Sequence, residues 1–418
     1  MVLSSSAFQA KSLYDARTLG LPDARIAVFT HPLGGLRDDQ VVERAAAMMD
    51  SLMSALAQQP KPREAVPAPG AALVAAPADS AALQAWTFER GWSDGLPVIA
   101  PTRAAVAQMV AGAGRDARDL VGIVPPRGGM ASVEQIAVNA VMAGCRPEHM
   151  PVLIAALEAM LEERFNLAAI QATTHPVAPL LIVHGPIART LNMNAGAGAF
   201  GPSSLSNAVL GRAIRLILWN IGGAIPGNVD RSTQGAPSKY SFCIAENIEA
   251  SPWGAFITER GLAADANAVT VFGGEPPHNI NDHEHGDAEG ILHIAADVLR
   301  TLGSNGWYLA WHGQKEVMLV LGPEHAASIA ASGWSRRQVR GFMYGAISRK
   351  RDELALGGMY GMRDWTPAFD ATAVDALIPA VPSPDDILVL VAGGAGKHSC
   401  ALPSFGATVS VTRAIRGV

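Results

Sequence analysis

The chain has 418 residues, of which 49% are apolar and 17% charged, with 42 Gly and 28 Pro. That length allows two or three domains with a sizeable core, and a charged fraction below the roughly 25% of average proteins excludes a disordered chain. With 37 acidic against 32 basic residues the net charge is −5, so no basic field exists to hold nucleic acid.

Residues 1–58 read as a small N-terminal α/β piece. Arg25-Ile-Ala-Val-Phe-Thr30 has the β-branched and aromatic content of a strand, His31-Pro-Leu-Gly-Gly35 is a turn, and Val41–Leu56 has helical spacing of its apolar residues. Residues 59–82 form a Pro/Ala-rich linker, with five prolines between 59 and 80 and no periodicity. Residues 83–418 are the main body.

In the body, short apolar runs alternate with helical patterns. The expected strands are Leu96–Ala100, Leu120–Val124, Leu167–Ala172, Leu180–Val183, Ala268–Phe272, Val317–Leu321 and Ile387–Ala392. The expected helices are Ser132–Met142, Pro147–Arg164, Ser204–Trp219, Ala288–Leu302, Pro323–Ala331, Ser335–Arg349 and a short Ala371–Leu377. The strands are continuously apolar, which predicts an α/β fold: a layered sheet covered by helices on both faces. Gly185-Pro186 and Gly322-Pro323 each follow an apolar strand, and each is followed by a second helix carrying Val-x-Gly, at Val209–Gly211 and Val339–Gly341. This reads as an internal duplication of a strand–helix–helix unit.

The three cysteines, Cys145, Cys243 and Cys400, are too few and too far apart for a disulfide framework. Met1–Arg17 lacks the basic and apolar regions of a signal peptide, and no apolar run reaches the roughly 18 residues of a membrane span. The expected location is cytoplasmic, with no membrane and no nucleic acid among its partners.

In an open α/β sheet, ligands bind beyond the carboxyl ends of strands, so the residues that follow the strands are inspected first. Thr174 and His175 follow the expected strand 167–172. The loop Asn192–Gly201, with Asn194, Gly196 and Gly198, leads into a helix carrying Arg212, and is a candidate anion nest. The run Gly393-Gly-Ala-Gly-Lys-His-Ser-Cys400 lacks the Gly spacing of a Walker A loop. It does place Lys397 and His398 beside Cys400, where cations favour the thiolate. Cys145 precedes the helix start at Pro147, next to Arg146, and His149 is placed to exchange its proton. For either thiol, an inert buried side chain is the alternative, and Cys243 reads as a core strand residue.

His278, His283 and His285, with Asp282 and Asp287, have the donor types of a divalent metal site, the rival being a solvated polar loop. Residues 228–253 form a long polar stretch in which Lys239, Asp230, Glu246 and Glu249 are suited to acid–base or ion-pair work.

Taken together, Asp94-Gly-Leu-Pro-Val98, Asn139–Glu148, Gly211-Arg-Ala-Ile214, Gly222–Gly227, Glu246–Trp253 and Gly322-Pro-Glu-His-Ala326 resemble the large bacterial proteins grouped with the UGSC-motif (seleno)protein family. The N-terminal piece, with His31-Pro32 and the helix after it, is similar to the tail of the small UGSC domain. The Sec/Cys-Gly-Ser-Cys motif is absent, so the family's redox residues do not carry over. The resemblance implies either a separate small UGSC-type subunit that supplies them or a different chemistry.

The leading expectation is an enzyme acting on a small-molecule substrate by thiol-dependent redox or lyase chemistry. Cys145, His149, Cys400, His398 and Glu246 would carry the reaction, and Thr174, His175, Asn194, Gly196, Gly198, Arg212 and Lys239 would bind substrate. The alternatives are a hydrolase or lyase using a divalent metal at His278, His283 and His285, the one cofactor the sequence suggests, or a non-catalytic subunit. A homo-oligomer is expected, or a hetero-oligomer with the UGSC-type subunit.

Overall fold

A computed structural model describes residues 2–18, 24–32, 36–57, 73–302, 315–354, 373 and 375–417. The N-terminal piece consists of β1 (Val2–Ser5), α1 (Gln9–Thr18), β2 (Ile26–Phe29) and α2 (Asp38–Ala57), with β1 and β2 paired in parallel. Asp38 and Asp39 occupy the first turn of α2, where the helix dipole favours negative charge. Residues 59–72, most of the expected linker, lie outside the described residues.

The body opens with α3 (Ser80–Glu89), α4 (Arg103–Gly112), the hairpin β3 (Leu120–Val124) and β4 (Gly129–Ser132), then α5 (Val133–Ala143) and α6 (Met150–Met160). Ser132 and Gln135 close a capping box at the start of α5, and Gly144, at φ 93°, ends it in the left-handed conformation. The expected strand at 96–100 is irregular backbone. Leu167–Ala172 is a helix, α7, and not a strand. Leu167, Ile170 and Gln171 bury one helical face there, a spacing that a six-residue apolar run disguises.

The remaining elements are β5 (Ala178–His184), α8 (Pro186–Thr190), α9 (Leu205–Asn220), β6 (Cys243–Ala245), β7 (Ala268–Gly274), β8 (His278–Asn281), α10 (Ala288–Leu302), β9 (Val317–Leu321), α11 (Pro323–Ala331) and α12 (Arg336–Ala346). They end with β10 (Arg349–Lys350), α13 (Arg351–Glu353), β11 (Leu377–Ile378), β12 (Ile387–Val391), β13 (His398–Pro403) and β14 (Val411–Ala414). The short helix expected at 371–377 falls partly on residues outside those described, and its last residue, Leu377, is in β11. No helix among the described residues is long and apolar enough to cross a membrane.

Two four-stranded sheets form the centre, ordered β14-β7-β5-β6 and β12-β9-β13-β8. Leu180, Ile182, Ile244, Phe272, Met318, Val320, Leu388, Leu390 and Leu402 form the core between them. On the outer face of the first sheet, Leu181, Val183, Val269 and Val271 pack with residues of α5, α6 and α9. On that of the second, Leu319, Leu321, Val389 and Ala401 pack with α10, α11 and α12. The architecture is therefore four layers, helix–sheet–sheet–helix. Strands buried on both faces need apolar side chains at every position, which is the origin of the continuous runs.

The two sheets share one plan. In each, the strand before Gly-Pro has a parallel neighbour on one side (β6 or β12) and an antiparallel one on the other (β7 or β13). The fourth strand is exchanged. β8, which follows β7, pairs with β13 in the second sheet, while β14, which follows β13, pairs with β7 in the first. This reciprocal crossing ties the two units into one body.

Candidate active site

The carboxyl ends of β5 and β12 are where the sequence places the chemistry, and the loops there are closed on themselves. The Asn194 side chain accepts from Gly196 N–H at 2.9 Å and donates to Ala197 O and Ser203 Oγ. Asn207 and the Asn194 backbone exchange two further bonds. Gly393 N–H donates to Ala195 O, and a Cβ at Gly394 would stand 2.7 Å from Ala197 Cα. The Asn194–Gly198 loop is thus a docking surface for the 393–396 loop. Arg212 holds Asp94 through two nitrogens at 2.8 and 3.0 Å and also donates to Leu96 O and Pro97 O. It clamps the 94–97 segment, so its donors are committed to protein groups.

Cys145 lies under α9, its thiol donating to Val209 O at 3.4 Å. Burial pushes this thiol far up, and the adjacent Cys243 adds to the effect against Arg212. His149 is buried and does not serve Cys145: Nδ1 accepts from Arg146 N–H and Nε2 bonds Ser206 Oγ at 3.0 Å. Cys400 packs at the edge of the inter-sheet core, and burial raises its thiol too. Lys397 donates to His283 O, and His398 bonds Asn279.

Nor are the metal candidates gathered. His278 pairs across from Ala401, His283 meets the His398 ring edge-on at 5.4 Å, and His285 bonds Asp282. Among the described residues no three His, Cys, Asp or Glu side chains group as a metal site. His325, buried nearby, is tied to Ser399 and to Asp282 O.

Glu246 belongs to a row of polar groups that crosses the whole first sheet. Its Oε2 is 2.6 Å from His184 Nδ1, His184 Nε2 is 2.9 Å from Thr270 Oγ1, and Thr270 is 2.9 Å from Thr412 Oγ1. This is the connectivity of an acid–imidazole–hydroxyl triad, but His184 and Glu246 are wholly buried and Phe256 stacks on the imidazole. The row satisfies polar groups in the inter-sheet core, where its imidazole and carboxylate are shielded from solvent.

The cluster with access lies at the opposite, amino-terminal end of β5. Because α7 is a helix, Thr174 and His175 precede β5. His175 Nε2 is 3.0 Å from Glu275 Oε1, just past the end of β7, and both side chains are about a quarter exposed, at 22% and 24%. Ser232 links this pair to the next, donating from Oγ to His175 O and from N–H to Asp230 Oδ1. Asp230 Oδ2 receives Lys239 Nζ at 2.8 Å and Arg215 at 3.2 Å. Burial lowers both cations below their ordinary range, opposed by Asp230. Gln171, Arg215, Ser238, Lys239 and Phe242 line a small cavity there. Lys315, wholly buried before β9, feels the Glu275 charge, yet burial pulls it down to about 7.

Lys239, Thr174 and His175 were legible as candidates. Arg215, Gln171, Glu275 and Lys315 carried no local motif, and only a buried charge within an otherwise apolar helix, as at Arg215, hinted at any of them.

The UGSC family model matches residues 1–58, the segment that forms β1, α1, β2 and α2. This segment is similar to the UGSC family. The four-layered body and its charged cluster lie beyond the matched residues. No curated protein and no solved structure matches the chain.

Proposed function

We propose that the chain is an enzyme acting on a small molecule by acid–base chemistry of the lyase class, at the charged cluster beside the amino end of β5. The observation that carries this reading is the Lys239–Asp230–Arg215 cluster standing one serine away from the His175–Glu275 pair. Two groups able to move protons, each with a partner that sets its charge, are what an elimination requires. One takes the proton from the carbon next to a carbonyl or carboxylate. The electron pair left there forms the double bond, and the leaving group departs from the neighbouring carbon with a proton from the other. A lysine held below its ordinary range by burial is a better base near neutrality than a solvated one.

Thiol chemistry at Cys145 draws no support from the geometry, because burial favours the protonated sulfur. The test is proton exchange: the protein is incubated in D2O with a panel of hydroxy- and oxo-compounds, charged and neutral, and deuterium incorporation is read by NMR. Exchange that disappears in Lys239→Met and Glu275→Gln supports the reading. Exchange that survives both variants, or that depends on Cys145, overturns it.

The family match at residues 1–58 favours one addition, in which this segment seats a UGSC-type subunit. Mass photometry of the chain mixed with such a subunit tests it, and two unchanged masses would refute it.

A further inference from the structure

We infer that the outer face of α2 pairs with the same face of a second copy of this chain, the two helices running antiparallel about a two-fold axis at Met49. This does not depend on the acid–base reading, since α2 lies in the N-terminal piece.

The face itself is the first argument. α2 is held to β2 and the turn after it from one side: Arg44 donates to Thr30 O and Pro32 O, Ser51 Oγ accepts from Val28 N–H, and Ala55 is buried. On the other side Val42, Ala45, Ala46, Met49, Met53 and Leu56 recur at helical spacing and form one stripe ~21 Å long. Val42, Met49, Met53 and Leu56 are between 47% and 68% exposed. No charge interrupts the stripe from Val42 to Leu56, since Glu43 and Asp50 stand roughly 100° round the helix from it. A surface helix normally turns polar residues to water on the face away from its own core, so this second apolar face calls for a partner.

Self-complementarity and charge select the occupant. Antiparallel pairing about Met49 sets Val42 of one copy against Leu56 of the other, and Ala45 and Ala46 against Met53, so small side chains meet large ones. Parallel pairing would stack Ala45 on Ala45 and bring two acidic first turns together. Asp38 stands on the stripe face one turn before Val42, while Arg37 offsets Asp39 through an ion pair at 3.2 Å. At the far end of the helix, Arg25 donates to Leu56 O at 3.2 Å. The antiparallel arrangement brings Asp38 of each copy to the end that carries Arg25 of the other, and it opposes the two helix dipoles, which attract side by side.

The test is sedimentation velocity of the full chain at rising concentration, which should pass from the mass of one chain to that of two. Met49→Lys sets like charges on the axis and should raise the dimer dissociation constant by about tenfold or more. Cross-linking reads the geometry. Val42→Cys and Leu56→Cys copies, mixed and oxidised in air, should join to each other. Either variant alone should not, because its two sulfurs would stand ~21 Å apart. Both positions are exposed, so these changes leave the fold intact, and the wild-type chain oxidised alongside accounts for the three native thiols. A chain that stays monomeric at every concentration overturns the inference, as do undiminished dimerisation of Met49→Lys and a mixture that fails to join. Val42→Cys joining to itself marks a parallel pair and overturns it too. So does a chain that is monomeric alone and captured only by a UGSC-type subunit. None of these outcomes touches the acid–base reading, which proton exchange measures separately.

Discussion

Lys239 Nζ and Arg215 Nη2 meet the same oxygen of Asp230, at 2.8 and 3.2 Å, from a loop and a helix respectively. One carboxylate therefore fixes the 228–240 segment against α9. Asp230→Asn leaves two buried cations without their counter-charge. A loss of about 3–5 kcal/mol in unfolding free energy is expected, the range for breaking a buried pair from one side. Urea denaturation measures it, and an unchanged midpoint would show that the three groups do not share this site.

Lys315 supplies a pH dependence with a defined sign. Its folded value of about 7 lies below the ordinary 10.5, so the unfolded chain binds more protons between those limits. Its burial penalty is full below pH 7 and fades as pH rises toward 10.5, so this residue makes stability increase with pH. The difference between the wild type and Lys315→Met isolates the effect. The variant should gain stability at pH 6–7, by an amount of order 4 kcal/mol that vanishes near pH 10. A pH-independent difference would contradict the assignment.

The His184–Glu246 pair gives a contrast between single and double replacement. His184→Ala leaves a buried carboxylate with one donor, the Phe256 N–H at 2.8 Å, and should destabilise by about 3–5 kcal/mol. Replacing both residues together by Phe and Met removes the charges as well, and should recover most of that loss. If the double variant is as unstable as the sum of the singles, the pair is not an isolated buried unit.

Thiol reactivity follows from burial. Native Cys243 should react with iodoacetamide only as fast as the chain unfolds, and Cys145 and Cys400, each partly exposed but with its thiol raised by burial, should react slowly in the folded protein. Mass spectrometry over time distinguishes the sites. Rapid labelling of Cys145 in the folded protein would restore the thiolate expectation.

The sequence by itself determined the α/β class and the exact extents of α10, β9 and α11, because each has a clear period and its own start signal. It also exposed the repeated strand–Gly-Pro–helix plan, since a tight strand exit needs those residues locally. It could not separate α7 from a strand, as six apolar residues satisfy either period, and that one ambiguity moved Thr174 and His175 to the wrong end of a sheet.

Which polar residues are spent and which are available was decided by tertiary structure alone. Arg212 and Arg215 are one helical turn apart on α9; the first is bonded to the 94–97 segment and the second to Gln171, Ala224 O and Asp230. Cys145 has the neighbours of a thiolate in the sequence, and the packing around its sulfur in the fold raises the thiol instead. The physical reason is common to all of these: local spacing sets the direction of a side chain, while its charge and hydrogen bonds depend on segments that are distant in the chain and brought together only by the packed sheets.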